Sequence, residues 1–292
     1  MGNYNSYKKT ALLFIAPQLL VTLVFFIWPA LTAVLQSFFY SDAFGLHRRF
    51  ASLSNYMDLW HQREYLHALY VTILMTVSVT VLTMSLGLVL ALLVGSQKRG
   101  QSIYKTMLLW PYAVAPAIAA ILWRFLFHPT LGFVTAWLHW AHVDFNYLIH
   151  PMQALLVIII AASWQQFSYN FLFYFAALQL IPTSILEAAK MDGASAWHRF
   201  SQIIWPLLTP TTFFLLTMNI LYCLFDTFGI IHVLTHGGPG YSTTTLIYKV
   251  YNDGFVGMDP GSSSAQSVIL MVVVSGLALL QFRYLEKKVH YQ

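Results

Sequence analysis

The chain has 292 residues, of which 58% are apolar and 9% are charged, and its formal net charge is +5. In a soluble domain about a quarter of the residues are charged, so the composition excludes an ordinary soluble protein. The single cysteine, Cys223, excludes a disulfide framework and a thiolate metal site, and the eleven histidines lack the spacing of metal ligands.

Six apolar runs follow one another along the chain, each long enough for a helix to cross hydrocarbon, which takes about 20 residues. Helices satisfy every backbone hydrogen bond within lipid, and no segment alternates with the period of two that a barrel strand needs. We therefore predict an all-α polytopic membrane protein. Its six transmembrane helices are expected at residues 11–39, 67–94, 105–127, 152–178, 207–232 and 265–284.

The first apolar run follows Lys8 and Lys9, which resemble the basic start of a signal peptide. The run is longer than a signal-peptide core, and no small-residue cleavage site follows it. It ends on the aromatic stretch from Phe25 to Pro29, as expected where a helix reaches the membrane interface. We therefore expect a retained transmembrane helix, preceded by a cytoplasmic segment at residues 1–10.

The third run carries two prolines, Pro111 and Pro116. Proline lacks an amide hydrogen and bends a transmembrane helix, which leaves carbonyl groups for neighbouring side chains or water to satisfy. Such kinks line transport pathways in some bundles and serve only packing in others. We predict a kinked third helix and leave both uses open.

A polar insert at residues 179–206 separates the fourth and fifth runs. Ser184 and Glu187 have the spacing of a capping box, in which each side chain satisfies a free backbone donor of the other residue. We expect a helix to begin there and to end at Gly193, because glycine readily adopts the left-handed conformation after a helix.

A second short helix of the insert is expected at residues 196–205, with Ser195 as its cap and Pro206 opening the next span. The insert is therefore predicted to be a helix–turn–helix at the membrane surface. Tryptophans at the interface would suit a hairpin that only lies on lipid. The acidic residues Glu187 and Asp192 favour a protein partner instead, because the inner leaflet is negatively charged.

Basic residues indicate the orientation of the helices. Ten lie at the termini or in the loops on the side of the termini, and four lie in the loops on the other side, so both termini are predicted to be cytoplasmic. The ten are Lys8, Lys9, Lys98, Arg99, Lys105, Lys190, Arg199, Arg283, Lys287 and Lys288, and the four are Arg48, Arg49, Arg63 and Lys249. Most acidic residues outside the spans, Asp42 among them, are expected on the outer side.

Polar residues within the spans are candidates for a pathway, because they are costly in lipid and usually face the bundle interior. Gln166 and Asn170 lie one turn apart on the fourth span, and Asn219 and Asp226 lie seven residues apart on the fifth, so each pair is expected to share a face. Amides and hydroxyls suit a polyol. The alternative is that each residue only hydrogen-bonds a neighbouring helix.

Arg124, near the outer end of the third run, has three uses that the sequence leaves open. It pairs with Asp226, extends to the outer headgroups, or meets a phosphate. Pairing is plausible because both residues lie at a similar depth from the inner ends of their spans.

The insert resembles the loop signature of permease subunits of importer-type ABC transporters. The matching residues are Glu187, Ala188, Ala189, Asp192, Gly193, Ile203 and Pro206, whereas Trp205 stands where that signature has leucine. The resemblance implies a MetI-like type I importer permease with a core at about residues 65–285. It also implies that the insert couples to a dimeric cytoplasmic ATPase subunit, beside a second permease subunit and a periplasmic solute-binding protein.

No phosphate-binding loop of the G-x-x-x-x-G-K-[ST] type occurs in the chain. The resemblance accordingly implies no cofactor on this chain, no enzymatic activity of its own, and ATP with magnesium on the partner subunit. Its location would be the bacterial inner membrane.

Further segments resemble the carbohydrate-uptake group of these permeases, and within it the glycerol-3-phosphate importers. They are the first run from Leu12 to Ala30, Pro111–Pro116, Ser168–Phe173, Thr243–Tyr251 and Gln281–Tyr284. The implied cargo is sn-glycerol 3-phosphate, with glycerophosphodiesters, other sugars and polyols left open. A stand-alone secondary transporter is the alternative from another class, although no inverted repeat is evident.

Overall fold

The computed structural model of the protein describes residues 3–41, 48–97 and 99–288. Most of this part is helical, as a chain surrounded by lipid requires. Two residues of the orientation argument, Asp42 and Lys98, lie outside the described residues, as do residues 1–2 and 289–292.

The regular elements are helices of very different length and one short antiparallel hairpin. In chain order they are α1 (Asn3–Thr22), α2 (Trp28–Gln36), β1 (Phe39–Ser41), β2 (Arg48–Phe50), α3 (Ser54–His61), α4 (Arg63–Gly95), α5 (Gln101–Leu109), α6 (Pro116–Leu126), α7 (Phe133–Trp140), α8 (Pro151–Gln179), α9 (Thr183–Met191), α10 (Ala196–Arg199), α11 (Trp205–Leu221), α12 (Phe228–Leu234), α13 (Leu246–Tyr251) and α14 (Pro260–Lys288). In the hairpin, Phe39 pairs with Phe50 and Ser41 with Arg48.

Five helical segments of the described residues are long and apolar enough to cross a membrane. They are Leu13–Gln36, Arg63–Gly95, Pro151–Gln179, Ala196–Asp226 and Pro260–Arg283. The third predicted helix is present as a bent pair, Gln101–Ala113 and Pro116–Leu126, whose parts meet at 97°. Six spans result if the bent pair is one of them.

The third span is broken rather than kinked, which corrects the prediction of a single bent helix. Helix α5 tightens into a 3₁₀ turn at Trp110–Ala113, and α6 begins at Pro116. Between them Val114 is extended, with φ −83° and ψ 128°. A proline disfavours helical conformation in the residue before it, and Ala115 before Pro116 is extended, with φ −59° and ψ 139°. Trp110 before Pro111 keeps helical angles, so the break lies at Pro116.

Two other Trp-Pro pairs lie within continuous helices. The first agrees with the predicted span at residues 11–39, whereas the second was expected to separate a short helix from the fifth span. A π-helical segment, Leu23–Ile27, precedes Trp28-Pro29, and another, Phe200–Ile204, precedes Trp205-Pro206. Proline clashes with the carbonyl four residues earlier and cannot donate to it. The wider π turn contains that carbonyl in both places, and each helix continues.

The chain forms two compact units, of which the first comprises residues Met1–Gln62 and Val250–Val272. In it the first span is joined to α3 through Asn55. The Asn55 amide donates to the Ser37 carbonyl at 2.8 Å and to the Phe39 carbonyl at 3.1 Å. The Tyr56 hydroxyl donates to the Ser37 hydroxyl at 2.7 Å, so the end of α2 is held by side chains of α3.

The second unit comprises Arg63–Lys249 and Val273–Gln292, and its centre is the packing of α4 against α8. Val71, Met75 and Val79 recur every four residues along α4 and are at most 1% exposed. The backbones approach closely at Gly87, where an added Cβ would lie 2.7 Å from the Asn170 Cβ. Small residues at such crossings allow tight packing where no hydrophobic effect holds helices together.

Candidate functional site

The first helix of the insert between α8 and α11 has its cap two residues earlier than predicted, at Pro182 instead of Ser184, and the capping box is absent. Helix α9 starts at Thr183 after Pro182, and no side chain caps it. Proline presets a helical φ but its own ψ of 126° keeps it outside the helix. Ser184 and Glu187 therefore lie within the helix, where their side chains do not reach its free donors.

The turn of the insert is built as the sequence predicted. Gly193 has φ +77°, and its amide donates to the Lys190 carbonyl at 3.1 Å. The Ala194 amide donates to the Ala189 carbonyl at 2.9 Å. These two bonds form a Schellman motif, which satisfies carbonyl groups at the end of α9.

The second helix of the insert starts where it was predicted but does not end there. The Ser195 hydroxyl accepts a hydrogen bond from the His198 amide at 3.2 Å and so caps α10. The helix then runs without interruption into the fifth span, as the segment Ala196–Asp226. The turn is thus attached to the span through a continuous helix.

The residues with the permease-loop pattern lie mostly on the surface of the insert. Glu187, Ala188, Asp192, Gly193 and Pro206 are exposed, whereas Ala189 and Ile203 are half-buried. Apolar residues are exposed beside them: Met191 is 87% and Trp197 is 74% exposed. Exposed apolar side chains next to acidic ones form a surface suited to a protein partner.

A cavity of about 520 Å³ lies where the broken third span meets the fourth and fifth spans. Its size is typical of sites for small molecules. The lining consists of tyrosines, glutamines, one carboxylate and apolar groups: Tyr112, Ala113, Val114, Ala115, Pro116, Gln165, Gln166, Tyr169, Met218, Leu221, Tyr222 and Asp226. Two of the predicted pathway residues, Gln166 and Asp226, are among them.

The break in the third span is held by Gln165. Its amide nitrogen donates to the Val114 carbonyl at 2.5 Å, and its amide oxygen accepts from the Tyr222 hydroxyl at 3.3 Å. The Val114 carbonyl lies before the first residue of α6 and outside the helical hydrogen-bond pattern. A neighbouring side chain therefore satisfies the carbonyl that the prolines leave free, as the sequence predicted.

Asn170 and Asn219, which the sequence also predicts as pathway residues, do not line this cavity. Both are 0% exposed. The Asn170 amide donates to the Asn219 amide oxygen at 3.0 Å, and the Asn219 amide donates back at 2.8 Å. Each also donates to the carbonyl one turn earlier, of Gln166 and Leu215 respectively. The pair joins α8 to α11 and has no free donor for cargo.

Asp226 lies on a different face from Asn219, although seven residues usually return to the same face of an α-helix. A π-helical segment, Tyr222–Asp226, lies between them. Its wider turns rotate the following side chains relative to an α-helix. As a result, Asn219 faces the bundle interior and Asp226 faces the cavity.

Arg124 is exposed and donates to the Val233 carbonyl at 3.2 Å. No ion pair joins it to Asp226 within residues 3–41, 48–97 and 99–288, and the ion pair found there joins Lys249 to Glu64 at 3.7 Å. Helix α6 starts anew after the 97° break, so equal distance from the inner end of a span does not mean equal position.

Tyr112 and Tyr222 are cavity residues that the sequence analysis did not single out. Tyr112 lies between the two prolines of the broken span, and the proline pair was the signal that marks this segment. Tyr222 lies four residues before Asp226, about one turn away, and a lone tyrosine among apolar residues carries no signal that separates a cavity residue from a packed one.

Comparisons with known proteins cover most of the chain. The family described as "Binding-protein-dependent transport system inner membrane component" matches residues 65–291. The sn-glycerol-3-phosphate transport system permease protein UgpA of Brucella abortus is 50% identical over 277 residues, which are 95% of this chain and 94% of the relative. The protein of the same name from Escherichia coli O157:H7 is 48% identical over 280 residues, 96% of this chain and 95% of the relative.

Solved structures with the same fold are ABC transporters. A chain of a bacterial ABC transporter involved in the import of the acidic polysaccharide alginate matches with a TM-score of 0.83 and 20% identity, over 99% of this chain and 100% of that chain. A chain of the MetNI methionine ABC transporter in an inward-facing conformation matches with a TM-score of 0.58 and 13% identity, over 77% and 96%. The predicted all-α permease fold is confirmed.

Proposed function

The chain belongs to the family of binding-protein-dependent transport system inner membrane components, and we propose that it is the ABC importer permease through which sn-glycerol 3-phosphate enters the cell. The observation that carries this proposal is the identity of 50% with the Brucella abortus permease over 95% of the chain. A match of such length includes the cavity residues and the insert together. Other polyols and sugars are the alternative cargo.

The cavity at the broken span is the proposed place of passage. Gln166 and Asp226 lie on its wall and Arg124 does not. Hydroxyl groups of a polyol pair with amides and carboxylates, whereas the apolar part of the wall excludes water. Irregular backbone at membrane depth is tolerated where it lines a cavity, and residues 110–116 are irregular there.

The insert is the proposed contact with a cytoplasmic ATPase dimer. Its acidic and apolar side chains are exposed, and its turn is rigid because both Schellman bonds are made. It continues as one helix into the fifth span, which carries Asp226. A movement of the insert would therefore reach the cavity through a single helix. This arrangement requires the insert and both termini to be cytoplasmic, with ATP and magnesium on the partner subunit.

Further partners follow from the same proposal. A second permease subunit would complete the pathway, and a periplasmic solute-binding protein would deliver cargo from outside. One solved relative of the fold is an alginate transporter in complex with a periplasmic protein that holds an alginate pentasaccharide. That arrangement supports a delivery protein on the outer side of this chain as well.

Reconstitution of the whole importer in proteoliposomes tests the function. The binding protein loaded with sn-glycerol 3-phosphate should stimulate both ATP hydrolysis and uptake. If a neutral sugar stimulates ATP hydrolysis and uptake and sn-glycerol 3-phosphate does not, the cargo is that sugar and the proposed cargo is wrong. Uptake by this chain alone without ATP would show a secondary transporter.

Charge reversal tests the coupling role. Glu187→Lys should reduce recovery of the ATPase subunit in a pull-down and abolish uptake, because an exposed carboxylate of the contact is replaced by a cation. Asp144→Lys, a reversal at an exposed residue far along the chain from the insert, is the control and should leave recovery unchanged. Normal recovery and uptake with Glu187→Lys would refute the role of the insert.

A further inference from the structure

The cavity at the broken third span has an uneven distribution of charge. Asp226 is the charged residue of its lining, and no cationic side chain belongs to the described lining. The remaining polar groups are amides and tyrosine hydroxyls. A cargo with an anionic end and a hydroxyl end would therefore meet very different surroundings in its two possible orientations.

Two polar groups of this wall are available to a ligand. The Asp226 side chain is exposed and makes no hydrogen bond or ion pair with another described residue. Gln166 is only 5% exposed, yet its side-chain amide has no hydrogen-bond partner in the described part of the chain. Its nitrogen and oxygen are not among the fully buried side-chain atoms that lack a partner, so they are open to the cavity, where a ligand can reach them.

Gln165, the neighbouring residue, shows the contrast. Its amide nitrogen is engaged by the Val114 carbonyl and its amide oxygen by the Tyr222 hydroxyl. These bonds fix the wall and leave Gln166 and Asp226 as the unengaged amide and carboxylate that face the cavity.

The hydrogen-bonding chemistry of Asp226 and Gln166 favours the hydroxyl groups of a ligand. A carboxylate is a hydrogen-bond acceptor only, and an amide both donates and accepts, so both pair with hydroxyl groups. A phosphate monoester at neutral pH carries a charge of about −1.5 to −2, so its oxygens are mostly acceptors, which a carboxylate cannot pair with. Like charges repel strongly where water is scarce.

We propose that Asp226 and Gln166 bind the hydroxyl end of a polyol phosphate and orient the phosphate away from this chain. The inference rests on the proposed function, because it assumes an anionic polyol as cargo. Asp226 then determines which end of the cargo faces this chain as the cargo passes through the membrane. The cations that neutralise the phosphate belong to the other side of the pathway, on the second permease subunit.

Uptake at saturating concentrations of loaded binding protein tests the proposal, because selection by that protein is then constant. The assembled importer is measured with sn-glycerol 3-phosphate and the variants Asp226→Asn, Asp226→Leu and Asp226→Lys. The amide oxygen of asparagine still accepts from a hydroxyl, so Asp226→Asn should retain uptake within about threefold. Asp226→Leu should lower it by about tenfold, the effect of losing one or two hydrogen bonds. Asp226→Lys should lower it at least as much, since the cation attracts the phosphate to the wrong end.

If the cargo binds in the opposite orientation, uptake by the Asp226 variants should rank in the opposite order. If the carboxylate faces the phosphate, Asp226→Asn and Asp226→Lys should exceed the parent importer, and that result would overturn the proposal. Equal uptake by parent and Asp226→Leu would also overturn it. If Asp226→Leu does not assemble, the Asn and Lys variants still separate the two orientations. Asp144→Asn controls for loss of a carboxylate elsewhere, and absence of phosphate-ester uptake by the parent importer refutes the proposed function itself.

Discussion

Removal of the amide pair between α8 and α11 is expected to loosen the bundle without touching the cavity. The perturbation is a double-mutant cycle of Asn170→Ala, Asn219→Ala and the combined variant. Either single substitution removes both reciprocal hydrogen bonds, of 3.0 and 2.8 Å, and leaves the partner amide in a site that is 0% exposed.

The structure limits the size of the effect. Each remaining amide keeps its donation to a carbonyl of its own helix, so it loses one bond as donor and one as acceptor. Interhelical hydrogen bonds within membranes contribute about 0.6 kcal/mol each on average, so two of them give a coupling energy of about 1.2 kcal/mol. Each truncation also leaves a void, and the cost of that void adds to the free-energy change of the single variant. This cost cancels in the coupling energy when the two truncations are independent.

The full-length chain in mixed micelles, unfolded reversibly with a denaturing detergent, is the assay, with tryptophan fluorescence as the signal. Thr83→Val is the matched control, because the Thr83 hydroxyl reaches the same Asn219 oxygen at 3.3 Å without a reciprocal bond. It should cost less than either asparagine variant. If the free-energy changes of Asn170→Ala and Asn219→Ala add up to that of the combined variant, the account of a coupled pair is refuted.

Two further substitutions test backbone geometry. Gly87→Ala would place a Cβ 2.7 Å from the Asn170 Cβ and force α4 away from α8. It should lower the free energy of unfolding by about 1–3 kcal/mol in the same assay. Gly95→Ala is the control, because its Cβ meets no atom within 4 Å and stability should not change. Equal stability of the two variants would contradict the close approach. Gly193→Ala should destabilise the turn of the insert by about 1–2 kcal/mol because its φ is +77°. Hydrogen exchange should then accelerate by roughly tenfold at the amides of that turn, and unchanged protection would contradict the strain.

The spans and the turn of the insert were predictable because short-range rules determine them. Runs of about 20 apolar residues leave a chain in lipid no alternative to helices. A left-handed glycine after α9 and a serine before α10 need only their immediate neighbours, and both were predicted correctly at Gly193 and Ser195. The capping box failed because Pro182 competes for the same helix start, and a spacing rule does not decide between two possible starts.

The faces of the helices were not predictable, because they depend on the exact number of residues in each turn. Three Trp-Pro pairs occur in the chain. Two follow π-helical segments inside continuous helices, and the third breaks a span at Trp110. The sequence around each proline does not indicate which outcome packing selects. One π turn before Thr227 was enough to separate Asn219 from Asp226, which a regular helix would place on one face.

The same irregularities that defeat prediction from periodicity also build the cavity. The break after Trp110 frees the Val114 carbonyl, and Gln165 satisfies it while Tyr222 holds the other end of that glutamine. The π segment that begins at Tyr222 then turns Asp226 to the same cavity. Regular helices in this place would bring neither the broken segment nor the carboxylate to the wall. Non-helical backbone at membrane depth is tolerated where it lines a cavity, so the broken segment and the π segment that meet at this cavity argue that it serves passage rather than packing.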